Sequence, residues 1–367
     1  MKIAFLIPSL GAGGAERVIT HMANYWVQKN NSVVIFTLEA GTSFYPLASG
    51  VQHISLGKVL PSGTIRKAFY LLKQVQELRR HLRQRQPQVL IAFLDIAIFM
   101  AIAATRLLPV KRIVSERNNP YVRKTNPVLQ SLNHLLYHWT DQLVLQTQQI
   151  AVTFPRLRHK ITVIPNPVLL PHHQIPEQEY LTNLSYKTIV CMGRLTAAKQ
   201  YDKMLRAFHR FIQEHAGWNL VLLGEGEERN SLERLRTELH LAESVSLPGT
   251  TTNPQKILKE ASVFMLSSRF EGFPNALCEA MAVGLPSVAT RCPYGPEEII
   301  HHGHNGWLVP VDDPAAWAEA LETITSDAAL YQKLGKEAKK VTATYSIDRV
   351  MQQWNQVIYD ITDASVK

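Results

Sequence analysis

Apolar side chains along this chain gather in short unbroken runs, separated by longer stretches where they recur every third or fourth residue. The runs at 2–7, 32–37, 89–93, 112–115 and 142–145 read as strands buried on both faces, and the amphipathic stretches 13–29 and 64–86 as helices. The segment Ile161-Thr162-Val163-Ile164-Pro165-Asn166-Pro167 closes this half. A Pro- and His-containing stretch follows to about residue 187, with weak periodicity, and reads as a linker. The pattern then restarts. Strands are predicted at 188–192, 219–223, 244–247, 263–266, 287–289 and 307–309, and helices at 199–215, 228–240, 254–261, 274–283 and 314–325. Strand and helix alternate through both halves, which predicts an α/β protein of two doubly wound domains, at 1–168 and 185–345. A terminal helix from about 347 is free to return to the first domain. Ligands of such sheets gather outside the carboxyl ends of the strands, so two facing domains define a cleft.

A length of 367 residues suits two cores, and 46% apolar with 19% charged residues describes an ordinary soluble protein. Cys191, Cys278 and Cys292 show neither metal-ligand spacing nor a disulfide framework, which fits a reducing cytoplasm. Residues 1–15 faintly resemble a signal peptide, but the apolar run stops at Pro8 and a first buried strand fits better. The longest apolar stretch, 89–104, is interrupted by Asp95 and is too short to span a bilayer.

Charge changes the picture more. The formal net charge is +9. Residues 1–180 hold 20 basic against 8 acidic side chains, and residues 181–367 hold 19 against 22. A basic first half suggests that one domain faces something anionic. The stretch 64–86 concentrates this charge in Arg66, Lys67, Lys73, Arg79, Arg80, Arg83 and Arg85 against the single acid Glu77. It reads as a core helix with a solvated basic face, or as a contact for an anionic membrane surface or a lipid diphosphate. Nucleic acid is the rival anion, but no recognition motif or aromatic platform supports it.

Three segments carry candidate chemistry. Gly11-Ala12-Gly13-Gly14-Ala15-Glu16 follows the first strand. It is not a dinucleotide fingerprint, because Glu16 stands where the third glycine belongs. It serves as a tight turn, or offers open backbone N–H groups to an anion. Gly193-Arg194-Leu195-Thr196-Ala197-Ala198-Lys199 follows the first strand of the second half. Arg194 supplies a planar fork and Lys199 a mobile point charge, together suited to a departing diphosphate, or the segment is a solvated basic turn. The chain contains no Asp-x-Asp pair to carry Mg²⁺, so no metal or other cofactor is expected. The third segment runs Ser268-Arg269-Phe270-Glu271-Gly272-Phe273-Pro274-Asn275-Ala276-Leu277-Cys278-Glu279-Ala280. Pro274 is expected to open a helix whose first N–H groups, on Asn275, Ala276 and Leu277, face phosphate or sugar oxygens. Glu279 is then placed to accept hydrogen bonds from a ribose diol, or is a surface helix residue.

Glu271 and Glu279 form the E-x7-E signature of retaining GT-B glycosyltransferases, and the chain resembles glycosyltransferase family 4. The resemblance runs through Gly13-Gly14-Ala15-Glu16, Ile164-Pro165-Asn166-Pro167, Gly193-Arg194-Leu195 and Gly224-Glu225-Gly226 to Glu271–Glu279, nearly the full length. It implies the GT-B fold, two facing Rossmann-like domains, the first for the acceptor and the second for a nucleotide sugar. Arg194 and Lys199 would then bind the donor diphosphate beside Gly193, and Glu279 the ribose. Glu271 would contact the transferred sugar near the backbone of Gly272, Phe273, Pro274, Asn275, Ala276 and Leu277. Gly13, Gly14 and Asn166 fall on the donor side of the first domain. The resemblance also implies an acceptor hydroxyl that attacks from the leaving-group side, with Arg194, Lys199 and Glu271 carrying catalysis and no protein base.

Two positions depart from the family pattern. Ser115-Glu116-Arg117-Asn118-Asn119-Pro120 carries Arg117 where many members have a histidine that contacts the transferred sugar, which makes Glu116 and Arg117 candidates for acceptor or phosphate. Gln200 replaces the usual glycine after the lysine and is expected only to alter the turn. With Cys292-Pro293-Tyr294-Gly295-Pro296-Glu297-Glu298, the variant motif is similar to family 4 enzymes of bacterial surface polysaccharides and lipid-linked oligosaccharides. That similarity favours transfer of a hexose or N-acetylhexosamine from a UDP-linked donor to a lipid-linked or polysaccharide acceptor, by an enzyme peripheral to the inner face of the cytoplasmic membrane. A nucleotide-sugar 2-epimerase of the same fold and a non-catalytic polybasic membrane-surface protein are the alternatives.

Overall fold

The computed structural model describes residues 1–57, 64–117, 135–168, 184–251 and 253–363. Asn118-Asn119-Pro120, the stretch 169–183 of the expected linker, and the side chains of Arg66 and Lys67 lie outside the described residues. The chain divides into two compact units, Met1–Asn166 with the chain from Asp348 onward, and Pro167–Ile347.

The first unit is built on β1 (Lys2–Ile7), β2 (Ser32–Thr37), β3 (Val51–Ser55), β4 (Val89–Phe93), β5 (Lys111–Ser115), β6 (Gln142–Leu145) and β7 (Ile161–Val163). All pairings are parallel and the order is β3-β2-β1-β4-β5-β6-β7. Helices α1 (Gly14–Gln28), α2 (Thr64–Arg85) and α3 (Asp95–Thr105) make the crossovers among the first strands. In the second unit β8 (Thr188–Met192), β9 (Asn219–Leu223), β10 (Val245–Gly249), β11 (Val263–Leu266), β12 (Ser287–Thr290) and β13 (Trp307–Val309) form a parallel sheet in the order β10-β9-β8-β11-β12-β13. Its helices include α4 (Tyr201–Glu214), α5 (Arg229–Glu238), α6 (Pro254–Lys259), α7 (Asn275–Ala282), α8 (Pro314–Ser326) and α9 (Ala328–Ala338).

Central strands matched their sequence reading because helices on both faces require continuous apolar runs, as in Val-Leu-Ile-Ala-Phe of β4, buried at every position. The strands left unread, β3 and β7, are the two edges of the first sheet. Val51-Gln52-His53-Ile54-Ser55 buries none of its residues fully and so carries no apolar run.

The last helix, α10 (Ile347–Asp363), adds its apolar face to the first unit. Trp354 stacks on Phe93 with centroids 6.5 Å apart, and Phe93 meets Phe5 edge-on at 6.4 Å. Phe5 in turn packs on Trp26, whose Nε1 donates to Asn355 Oδ1 at 2.7 Å. In the second unit α4 packs on α8 around Phe208, Trp317 and Leu321. Tyr331 of α9 donates its hydroxyl to the Ser262 carbonyl at 2.8 Å, which ties that helix to the start of β11. The three cysteines are buried and unbridged.

Candidate functional site

Sheet order decides where the second unit brings its chemistry together. β8 lies beside β11, and the strand order reverses there, so the loops leaving their carboxyl ends border the switch point of a doubly wound sheet. The loop after β8 carries Gly193 to Lys199, and the loop after β11 carries Ser267 to Glu271. They are stapled together. Arg269 N–H donates to the Ala198 carbonyl at 2.8 Å and Ser267 Oγ to the Lys199 carbonyl at 2.6 Å. Lys199 Nζ then lies 2.5 Å from Glu271 Oε1, which also accepts Ser268 Oγ–H at 2.6 Å. Both charged side chains are mostly buried. Arg194 is exposed, and its side chain makes no hydrogen bond or ion pair among the described residues.

Close backbone approach makes this possible. A Cβ on Gly224 would collide with the Gly193 carbonyl, and one on Gly226 with the Leu195 backbone, so Gly224-Glu225-Gly226 seats the β9 loop against Gly193-Arg194-Leu195. Leu195 N–H donates to the Glu225 carbonyl across this contact at 2.9 Å.

Pro274 caps α7 rather than opening it, and the helix starts at Asn275. Asn275 N–H is taken by the Phe273 carbonyl at 3.0 Å, which removes one of the three donors expected there. The Cys292–Glu298 segment packs on this turn through Gly295, which has φ +104° and abuts the Pro274 ring, and through Pro293, whose carbonyl accepts from Glu271 N–H at 3.5 Å. Glu279 sits in the second turn of α7 and is 6% exposed, so it is not a surface helix residue. A carboxylate at this depth calls for polar partners.

In the first unit Gly13 is the N-cap of α1, and Glu16, three residues on, folds back against it. The rest of that turn, Gly11, Ala12 and Gly14, is exposed. Glu116, Arg117 and Asn166 are all buried. Tyr137 donates its hydroxyl to Glu116 Oε2 at 2.7 Å, and the Arg117 backbone N–H donates to Glu116 Oε1 at 3.0 Å. Burial, and then the Glu116 charge, push the Tyr137 phenol well above its usual range. Arg117 Nη1 donates to Asn166 Oδ1. Burial draws the Arg117 guanidinium down to about 9, opposed by Glu116, and leaves it charged at neutral pH. The structure thus joins Asn166 to Arg117, and Gly193, Lys199 and Glu271 to one another.

Among the described residues, one grouping of His, Asp, Glu or Cys is close enough to share an ion: Glu214, His215 and Glu322. It lies at the opposite end of α4 from Lys199, about 20 Å along the helix.

The model for glycosyltransferase family 4 matches residues 12–170, and that for glycosyl transferases group 1 matches residues 175–341. The chain belongs to these glycosyltransferases. It is 26% identical over 362 residues to an uncharacterised glycosyltransferase of Haemophilus influenzae, covering 97% of this chain and 99% of that one. It is 28% identical over 368 residues to the GalNAc-alpha-(1->4)-GalNAc-alpha-(1->3)-diNAcBac-PP-undecaprenol alpha-1,4-N-acetyl-D-galactosaminyltransferase of Campylobacter jejuni, covering 99% and 100%. The fold is that of GT-B enzymes. Anabaena Alr3699/HepE, solved in complex with UDP and glucose, superposes with a TM-score of 0.81 at 16% identity over 98% of this chain and 99% of that one.

Gln200 does more in this glycosyltransferase than alter a turn. It takes the left-handed conformation (φ +53°, ψ +37°) that a glycine would occupy without strain, and it caps α4. Its side chain is buried and donates through Nε2 to Asp312 Oδ1, which also receives Lys203 Nζ and, at 3.1 Å, Arg269 Nη2. The bond offsets the strain and ties the Lys199 loop to the chain after β13. Gln200→Ala keeps the strain and loses the bond, and is expected to cost about 2 kcal/mol. Gln200→Gly relieves the strain and should cost about 1 kcal/mol less than the alanine variant. Denaturant midpoints check the order, and a glycine variant less stable than the alanine variant would remove the strain argument.

Ser267, Gln200 and Asp312 position the Lys199–Glu271 pair but were not singled out from sequence for that role. Only Gln200 left a trace, as a departure from the family pattern. Asp312 lies 112 residues from Gln200, and no local pattern links them.

Proposed function

We propose that this glycosyltransferase moves a hexose or N-acetylhexosamine from a UDP-sugar, with retention, to a lipid-linked or polysaccharide acceptor in bacterial glycan biosynthesis. The observation that carries the reading is the Lys199–Glu271 pair, locked at 2.5 Å where the β8 and β11 loops meet. A cation and a carboxylate in that spot suit the two ends of the bond to be broken. Arg194 and Lys199 neutralise the departing diphosphate, while Glu271 holds the sugar as positive charge grows on it. The acceptor hydroxyl attacks the anomeric carbon from the side of the leaving group. The sugar–oxygen bond to the diphosphate breaks, the new glycosidic bond forms, and the hydroxyl proton passes to the departing phosphate oxygen. Buried Glu279 accepts the ribose hydroxyls. UDP in the HepE complex supports the donor, and the PP-undecaprenol glycan named for the Campylobacter enzyme supports the acceptor class.

Two cations supply the charge that a metal would otherwise bring, so transfer is expected to continue in EDTA. The test is incubation of the protein, in EDTA, with UDP-sugars and a diphosphate-linked lipid glycan, followed by NMR of the anomeric proton. Retained configuration in a new glycoside supports the reading. An inverted product, or conversion of the UDP-sugar without any acceptor, removes it.

Attachment to the inner membrane face is the second part of the reading. Among the described residues no helix is long and apolar enough to cross a membrane. On α2, however, Phe69 is 71% and Leu72 59% exposed beside exposed Lys73, and two turns further along stands exposed Arg80, paired with Glu77. Apolar side chains next to cations suit an anionic bilayer surface, at about 1 kcal/mol per basic residue. The protein is therefore expected to co-sediment with anionic liposomes. Lys73→Glu with Arg80→Glu should abolish this, and equal, negligible binding to anionic and neutral liposomes by the parent protein would end the idea.

A further inference from the structure

The sugar-transfer reading leaves the buried guanidinium of the first unit unassigned. Arg117 lies two residues beyond β5, at the carboxyl edge of the first sheet, where ligands of such sheets gather. Its carbon Cζ sits 4.0 Å from the centroid of Phe93, the last residue of β4, and 5.9 Å from the ring of Trp354. The side chain is about nine-tenths buried, with 9% relative exposure. Only one nitrogen of the fork is engaged, Nη1, which donates to Asn166 Oδ1. Nε and Nη2 are buried and make no hydrogen bond among the described residues.

Those two nitrogens share one edge of the guanidinium, the edge that meets two oxygens of a phosphate or carboxylate side-on. The neighbouring Glu116 does not fill it: it accepts from the Tyr137 hydroxyl and the Arg117 backbone N–H, while Nε and Nη2 have no acceptor among the described residues. The indole Nε1 of Trp354 is a further buried donor without a partner among the described residues. Leu94, the residue after Phe93, is held at φ +72° and ψ +149°, a conformation that leucine rarely adopts and that concentrates at ligand sites. The Glu116 charge and the Asn166 bond account for the cation and for Nη1, but not for two buried donors left idle at a desolvation cost. What is missing is an acceptor-rich anion.

We propose that the Nε–Nη2 edge of Arg117 binds a phosphoryl group of the acceptor substrate, side-on. This rests on the reading above that the acceptor is diphosphate-linked. The donor diphosphate already has Arg194 and Lys199, in the other unit. Arg117 is then a substrate-binding residue, and Asn166 holds its fork in plane.

The test begins with binding alone. The full chain carrying Lys199→Ala, which weakens the donor phosphate site, is labelled with ¹⁵N-arginine and titrated with inorganic pyrophosphate. The Arg117 Nε–H resonance, assigned by its absence in Arg117→Lys, is expected to shift in a saturable way. Lysine keeps the charge but lacks the edge. In the otherwise unaltered enzyme, Arg117→Lys should therefore raise KM for the diphosphate-linked acceptor about tenfold, with the donor KM unchanged. An Nε–H resonance that stays in place at millimolar pyrophosphate overturns the proposal, as does a rise in the donor KM instead of the acceptor KM. The titration needs no turnover. Failure of the transferase reading would show separately, as absence of transfer by the parent protein with every sugar nucleotide.

Discussion

Glu271→Gln is expected to lower kcat by about 100-fold or more while leaving UDP affinity nearly unchanged. The substitution keeps the shape of the side chain and removes its charge. Glu271 Oε1 accepts from both Lys199 Nζ and Ser268 Oγ, so an amide oxygen can still take one of these bonds. A neutral amide cannot stabilise a sugar ring that gains positive charge as its bond to diphosphate breaks. Because that charge exists only near the transition state, the loss should fall on kcat and not on ground-state binding. Steady-state kinetics with isothermal titration of UDP is the check. A variant within about threefold of the parent kcat would show that the carboxylate serves structure only.

Lys199→Ala should be the more damaging change for the protein as a whole. It removes the cation from a mostly buried pair and leaves the Glu271 carboxylate with Ser268 as its remaining partner in the site. Stranding a charge at this depth is expected to cost about 2–3 kcal/mol, a drop of some 5–10 °C in Tm for a unit of this size. If Lys199 binds the donor diphosphate as proposed, UDP affinity should fall about tenfold or more while UMP affinity holds, because UMP lacks the β-phosphate. The double variant Lys199→Ala/Glu271→Gln gives the sharper reading. Removing the stranded charge should return about 1 kcal/mol, so the double variant is expected to melt above Lys199→Ala alone. A double variant that melts below both single variants would show that the pair is not coupled as the geometry requires.

Much of this fold is legible in the sequence. The strands at 2–7, 32–37, 89–93 and 188–192 match β1, β2, β4 and β8 residue for residue, since a strand covered on both faces must be apolar throughout. Helix boundaries were read less well. The stretch expected to be helical from Lys199 begins at Tyr201, because Gln200 turns left-handed to reach Asp312, a partner far along the chain. α9 (Ala328–Ala338) and the edge strands β3 and β7 were not read at all. The edges have one neighbour instead of two, and so need less apolar sequence. The charged residues of the candidate site stand out in the sequence as types in a motif, whereas burial within α7 is what places Glu279 in the interior and not on the surface.

The sequence by itself determined the alternation of strands and helices, the family, and the identity of the charged residues on the loops, because each is written in local periodicity or in a contiguous motif. Tertiary structure alone decided that Lys199 and Glu271, 72 residues apart, form one hydrogen-bonded ion pair, and that Arg117 lies buried with one edge of its fork unpartnered among the described residues. The reason is physical: pairing of β8 with β11, and packing of Trp354 onto Phe93, bring distant side chains together through whole-sheet order and core burial, which no stretch of neighbouring residues records.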